Sequence, residues 1–202
     1  VFLVGLNFAF PFGPNPYLGI HPETYPNLCP DGLLADLAGP KSFYEGVVVS
    51  GGGATLEPDL VPFLEAIKAL NLSVKLDSNG LAPKVITELL RKGLVDYLAI
   101  DLKTLPQRYL ELHSGPVAYE KLLETVSLCR EASELEYRTT CVPGWVDEDV
   151  ITKLGELIDG APLWAIQQYH PEHALCGDAR EVEAYSPEKI QSFADIASRY
   201  VK

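Results

Sequence analysis

The sequence predicts a parallel α/β fold, and three observations carry that prediction. Short apolar runs recur along the chain, among them Val47-Val48-Val49, Tyr97-Leu98-Ala99-Ile100 and Leu163-Trp164-Ala165-Ile166, each the length of one strand. Between them lie segments with helical apolar spacing, such as Leu60, Phe63, Leu64, Ile67 and Leu70. Strand-like and helix-like segments alternate through six repetitions, the order expected when helices cross over between parallel strands. Continuous apolar strands imply a sheet covered on both faces. Two architectures share this pattern, a six-stranded open barrel and a doubly wound sheet. In either, ligands gather at the carboxyl ends of the strands.

Taken in order, Val1 to Val4 form a short strand that ends at Gly5-Leu6-Asn7. Residues 8–30 are rich in proline and aromatics, too long for a simple connection and too apolar for disorder, so they are expected to pack over another part of the molecule. Asp31 can cap a short helix that runs to Ala38 and is stopped by Gly39-Pro40. A strand at 46–50 then runs into Gly51-Gly52-Gly53, where backbone can approach a ligand closely, before a helix at 59–70. Strand 72–77 ends in Asp77-Ser78-Asn79-Gly80, and helix 83–92 stops at Gly93. Strand 96–100 ends in Asp101-Leu102-Lys103. An insertion at 104–117 with one helical turn precedes helix 118–131, strand 136–142 and helix 148–158. The last strand, 163–169, ends at His170-Pro171, and helix 187–200 is capped by Ser186 with Pro187 in its first turn.

Composition narrows the function classes. At 202 residues with 47% apolar and 22% charged content, the chain reads as one domain over 1–202. No apolar run reaches the roughly 18 residues of a membrane span and no signal peptide precedes the first strand, so a cytoplasmic protein without a membrane partner is expected. A net charge of −12, with no stripe of Lys or Arg, argues against a nucleic-acid partner. The four cysteines (Cys29, Cys129, Cys141, Cys176) form no CxxC pair; Cys129 and Cys141 read as buried small hydrophobes rather than disulfide partners.

Polar residues of specific kinds collect at the strand ends. They are Asn7, Ser50, Asp77-Ser78-Asn79, Asp101 with Lys103, Arg138-Thr139-Thr140, and Gln167-Gln168-Tyr169-His170. Such a bowl suits a zwitterionic or polyhydroxylated ligand: Lys and Arg for a carboxylate, Asp for an amine, amides for hydroxyls. The alternative is a polar network satisfied within the protein. A metal site has one candidate, the run His170-Pro171-Glu172-His173-Ala174-Leu175-Cys176, in which His170, His173 and Cys176 could be ligands.

The segments VVVSGGGATLEPDL, VKLDSNG, GLVDYLAIDLKT, YRTTCVPG and IQQYHP resemble the radical S-adenosylmethionine (SAM) activating proteins. The group most resembled is the anaerobic ribonucleoside-triphosphate reductase activating proteins, related to pyruvate formate-lyase activase. The resemblance runs in order through nearly the whole chain and implies a six-stranded partial (β/α)6 TIM-like barrel. It also implies bound SAM, a four-iron, four-sulfur cluster, and a protein partner related to a glycyl radical enzyme. Residues matching the SAM-contacting segments are Gly51, Gly52, Gly53, Asp77, Ser78, Asn79, Asp101, Lys103, Arg138 and His170.

Two defining motifs depart from the family. Where the family has CxxxCxxC after its first strand, this chain has Leu6, Phe10 and Gly13, and side chains without sulfur cannot ligate iron. The family's GGE is Gly51-Gly52-Gly53, so the carboxylate that faces the methionyl amino group is missing. The expectation is a cluster-free relative, a pseudoenzyme or a protein binding SAM or another nucleoside. Leu6, Phe8, Phe10 and Phe12 are expected to fill the vacated space as an apolar plug. Two alternatives remain open. The barrel could serve non-radical chemistry, with Lys103 and Asp101 as candidate catalytic residues beside Asp77. Or it could be a structural or regulatory subunit that meets its partner through the aromatic loop from Phe8 to Tyr25.

Overall fold

The computed structural model describes residues 1–3, 12–13, 29–39, 44–51, 53–112, 117–130, 134–174 and 177–202. Every predicted strand enters one parallel sheet: β1 (Phe2–Leu3), β2 (Gly46–Gly51), β3 (Ser73–Ser78), β4 (Tyr97–Asp101), β5 (Leu135–Cys141) and β6 (Trp164–Gln168). Their order across the sheet is β1-β2-β3-β4-β5-β6. With that order and the nearly invariant right hand of parallel crossovers, each connection lands on the same face. A doubly wound sheet, which needs a reversal of strand order, is thereby excluded. The architecture is an open partial barrel with helices outside.

The helices are α1 (Pro30–Ala38), α2 (Leu60–Ala69), α3 (Pro83–Arg91), α4 (Tyr109–Leu112), α5 (Glu120–Leu128), α6 (Glu148–Leu157), α7 (Gly177–Arg180) and α8 (Pro187–Ala197). Short 3₁₀ turns occupy Ala54–Leu56, Pro106–Arg108 and Pro171–His173. Helix α8 starts where expected, with Ser186 Oγ accepting from the Lys189 amide at 3.3 Å. Helix α1 starts earlier than the Asp31 cap predicts: Cys29 is its N-cap, Pro30 opens it, and Asp31 lies in the first turn. Proline at the first helical position gives up no hydrogen bond, so the helix can extend past the aspartate. Helix α7 was not foreseen.

The continuous apolar strands do not mean a sheet covered on both faces, because the two faces differ. Toward the helices, Val47, Val49, Val74, Leu76, Leu98, Ile100, Leu135 and Tyr137 are buried in the core. Each such side chain contributes roughly 1.5–3 kcal/mol by leaving water. The alternate residues point to the barrel interior. Val48, in the middle of the apolar VVV run, is 48% exposed there. Lys75, Asp77, Tyr97, Glu136 and Arg138 share that inner face and are half-buried.

One glycine fixes the sheet edge. Gly51 pairs with Leu3 at φ 135°, and a Cβ there would collide with the Leu3 backbone. Gly93 has φ 65° and open surroundings, so Gly93→Ala measures the cost of positive φ alone. Gly51→Ala is expected to cost more than the roughly 1–3 kcal/mol of a strained backbone, because it also forces β1 off the sheet. Urea midpoints of the two variants check this; equal losses would show that the Leu3 contact is unimportant.

Candidate functional site

The site follows from strand alternation. In Ser73-Val74-Lys75-Leu76-Asp77, every second residue is polar and faces inward. The same period places Tyr97, Ala99 and Asp101 inside on β4, and Glu136, Arg138 and Thr140 inside on β5. Register then sets Asp77 beside Ala99 and Asp101 beside Arg138.

At the carboxyl ends these groups form one network. Arg138 Nε donates to Asp101 Oδ1 at 2.7 Å, and its Nη1 donates to Asp77 Oδ1 at 3.1 Å. Lys103 Nζ reaches Asp101 Oδ2 at 2.7 Å. Below it lies a second set: Lys75 Nζ to Glu136 Oε1 at 2.8 Å, and the Tyr97 hydroxyl donating to Glu136 Oε2 at 3.0 Å. Glu136 Oε1 stands 3.9 Å from Arg138 Nη1, which joins the two layers. With Lys75, Lys103 and Arg138 facing Asp77, Asp101 and Glu136, the charges balance.

The partners determine how these groups ionise. Burial opposes the charged form of Asp101, but the Lys103 ammonium and the Arg138 guanidinium outweigh it and hold the carboxyl below its usual range. Glu136 is likewise lowered against its burial, by hydrogen bonds from Lys75 and Tyr97 and by the nearby cations. Burial would weaken the charge of Arg138; Asp101 and Asp77 more than restore it.

Neighbouring loops hold the rim in place. The buried Tyr109 hydroxyl accepts from the Lys103 amide at 3.0 Å and donates to the Asp101 carbonyl at 3.5 Å, bracing the end of β4. Ser78 Oγ accepts from the Gly80 amide, and Asn79 Oδ1 from the Leu81 amide, both at 3.1 Å. Gly80 sits at φ 75°, and its carbonyl accepts from Thr125 Oγ1 at 2.6 Å.

Of the residues singled out in the sequence, Asp77, Asp101, Lys103 and Arg138 come together. Ser78 and Asn79 are rim residues whose side chains shape the β3–α3 turn. Thr139 turns to the helix side, where its hydroxyl accepts from Trp164 Nε1 at 3.0 Å. Tyr169 does the same, donating to the Ala179 carbonyl at 2.6 Å. Gly51 ends β2 and Gly53 precedes the next turn, while Gly52, Asn7, Leu6, Phe8, Phe10 and Cys176 lie outside the described residues. Phe12 packs on Tyr169 at 5.8 Å and Trp145 at 6.0 Å between ring centroids. Phe12 thus lies beside residues that follow β5 and β6. Lys75, Ala99, Glu136 and Tyr109 were missed; the polar period-two pattern in Ser73-Val74-Lys75-Leu76-Asp77 and Leu135-Glu136-Tyr137-Arg138 was the signal for the first and third.

His170 and His173 are exposed on the turn after β6, their rings 6.2 Å apart, flanking Glu172. Among the described residues no three His, Cys, Asp or Glu side chains are grouped to hold a metal ion. Cys129 and Cys141 are buried on the helix side, their thiols pushed up by burial to about 11 and about 12, unlike the thiolates that bind iron. The third described cysteine, Cys29, lies exposed at the start of α1. Leu6, Phe10 and Gly13, which match the family's cysteine positions, carry no sulfur donor for an iron–sulfur cluster. The charged bowl does offer the adjacent cations and carboxylates that a zwitterionic group, such as the methionyl end of SAM, requires. Among the described residues, no helix is long and apolar enough to cross a membrane.

A sequential six-stranded parallel sheet with a polar inner rim is the frame in which known relatives can be placed. The radical SAM superfamily model matches residues 33–154, and the chain belongs to that superfamily. A relative from Methanocaldococcus jannaschii, named provisionally as a glycyl-radical enzyme activating enzyme, is 32% identical over 165 residues, covering 79% of this chain and 69% of the relative. The fold matches a domain of pyruvate-formate lyase-activating enzyme from Bacteroides vulgatus, with a TM-score of 0.61, 21% identity, and 78% and 97% of the two chains covered. Streptococcus suis SuiB bound to S-adenosylmethionine gives a TM-score of 0.67 at 16% identity, covering 98% of this chain and 45% of SuiB.

Proposed function

We propose that this chain is a cluster-free member of the activating-enzyme branch of the radical SAM superfamily, which binds SAM or a related nucleoside at its strand ends. The observation that carries the reading is the neutral four-membered network of Asp77, Asp101, Lys103 and Arg138 at the mouth of the barrel. A ligand carrying both a carboxylate and an ammonium can exchange partners with this network without changing its net charge. Its carboxylate takes Lys103 or Arg138, and its ammonium takes Asp77 or Asp101. Gly51 ends β2 and Gly53 follows it, and His170 follows β6, at the carboxyl ends of strands in the same sheet. When bound, SAM would supply a sulfonium; the residues of this chain bind and orient it. The loss of cysteine at positions 6, 10 and 13 supports binding without radical initiation. The M. jannaschii relative's name suggests, as a partner, a protein related to glycyl radical enzymes.

Thermal unfolding with SAM and with S-adenosylhomocysteine tests the binding. At about 100 times Kd, a ligand that binds only the folded state adds about 2.7 kcal/mol, a shift of roughly 5–11 °C for a chain of this size. Asp101→Asn and Lys103→Met are expected to remove most of that shift. An unchanged midpoint with both ligands sinks the reading.

A further inference from the structure

Two ion pairs span β4: Lys75–Glu136 at 2.8 Å and Asp77–Arg138 at 3.1 Å both join β3 to β5. Lys75 Nζ lies over the Tyr97 ring, 4.8 Å from its centroid, but strands two apart in a sheet lie about 9.5 Å from each other, so both pairs close past a smaller intervening residue. That residue is Ala99, in register with Asp77 on one side and Glu136 on the other, and 0% exposed. The two pairs run along parallel diagonals, one below Ala99 and one above it. The larger inner residues of β4, Tyr97 and Asp101, are drawn into the same bridges, Tyr97 donating to Glu136 and Asp101 accepting from Arg138.

We infer that Ala99, together with the Lys75–Glu136 pair, is a positioning element for Arg138. The guanidinium is held at Nε by Asp101 and at Nη1 by Asp77, with Glu136 behind it, while Nη2 makes no hydrogen bond to the described residues. Two edges of a planar, forked donor are therefore fixed and the third is presented. Lys75 and Tyr97 anchor Glu136, which limits the swing of Nη1. A branched side chain at 99 would fill the crossing and push both pairs apart. That the fixed guanidinium meets a ligand oxyanion rests on the proposed function; that it is fixed does not.

The test combines two measurements on the full chain. Side-chain NMR follows hydrogen exchange at Arg138 Nε–H, assigned by its loss in Arg138→Lys, and calorimetry follows binding of S-adenosylhomocysteine. Ala99→Val is expected to speed exchange and raise Kd, each about tenfold or more, as for loss of a charge-assisted hydrogen bond. Ala99→Gly keeps the gap and is expected to retain wild-type exchange, which a merely structural role for the methyl would not predict. Lys75→Met with Glu136→Leu removes the lower bridge without adding bulk, so it decides the matter if Ala99→Val fails to fold; faster exchange is expected. Wild-type exchange in both Ala99→Val and the double variant overturns the inference. If the wild-type protein binds no S-adenosylhomocysteine but the exchange pattern holds, the proposed function fails and the positioning stands.

Discussion

Arg138→Met is expected to lower stability by about 3 kcal/mol, the low end of the range for stripping one partner from a buried ion pair. The low end applies because the Arg138 side chain is 18% exposed and water can partly replace it. For a chain of this size that is roughly 6–12 °C in Tm. The loss arises because Asp77 and Asp101 stay half-buried, and of the two only Asp101 keeps an ion pair among the described residues, to Lys103. Adding Asp77→Asn to Arg138→Met removes the carboxylate that lost its ion-pair partner, since Asp101 keeps Lys103, and should recover part of the stability. A loss below about 1 kcal/mol, the range of an exposed pair, would show that the network is a solvated surface feature.

The same variant changes the response to acid. Asp101 and Glu136 have carboxyls lowered in the folded state, so their stabilisation is full above the unfolded carboxylate range of about 3.9–4.3. It is lost as pH falls through their lower folded values. Without Arg138, burial still opposes ionisation of Asp101 while one of its two cations is gone. Its folded pKa rises, and the acid limb of stability begins at a higher pH than in the wild type. Urea midpoints measured from neutrality down to about pH 3 check the sign. An acid limb at the same pH in both proteins would mean that Arg138 does not set the ionisation of Asp101.

What could be read from the sequence was whatever local periodicity encodes. Helical spacing such as Leu60, Leu64 and Ile67 put α2 in place, and the sequence motif at Asp101-Leu102-Lys103 put two members of the network on one strand end. Which face of each strand looks inward was not legible in Val47-Val48-Val49, where three equal residues hide the alternation; only the one-sided placement of the helices exposes Val48. The short rim segments misled for a related reason. Neighbouring residues in a strand point opposite ways, so Thr139 serves Trp164 while Arg138 and Thr140 face the bowl. Ala99 carries no chemical signal at all. Its importance appears only once the register sets it between Asp77 and Glu136.

The largest expected effect is a gain. The wild-type chain, reconstituted anaerobically with iron and sulfide, is expected to hold no stoichiometric iron and to lack the broad visible absorption of a cluster. Of its described cysteines, Cys129 and Cys141 are sealed on the helix side with thiols raised by burial, and Cys29 stands alone at the start of α1. The triple variant Leu6→Cys, Phe10→Cys, Gly13→Cys restores three thiols in the family's spacing on the segment that leads to Phe12, which packs at the barrel mouth against Tyr169 and Trp145. It is expected to take up about four iron atoms per chain, the content of one four-iron cluster. Failure of the triple variant to bind iron, with its fold intact by circular dichroism, would mean that these positions do not occupy the family's cysteine sites. Stoichiometric iron in the wild type would mean that Cys29, Cys176 or the His170–His173 pair supplies a cluster site of another kind, and the cluster-free reading would fall.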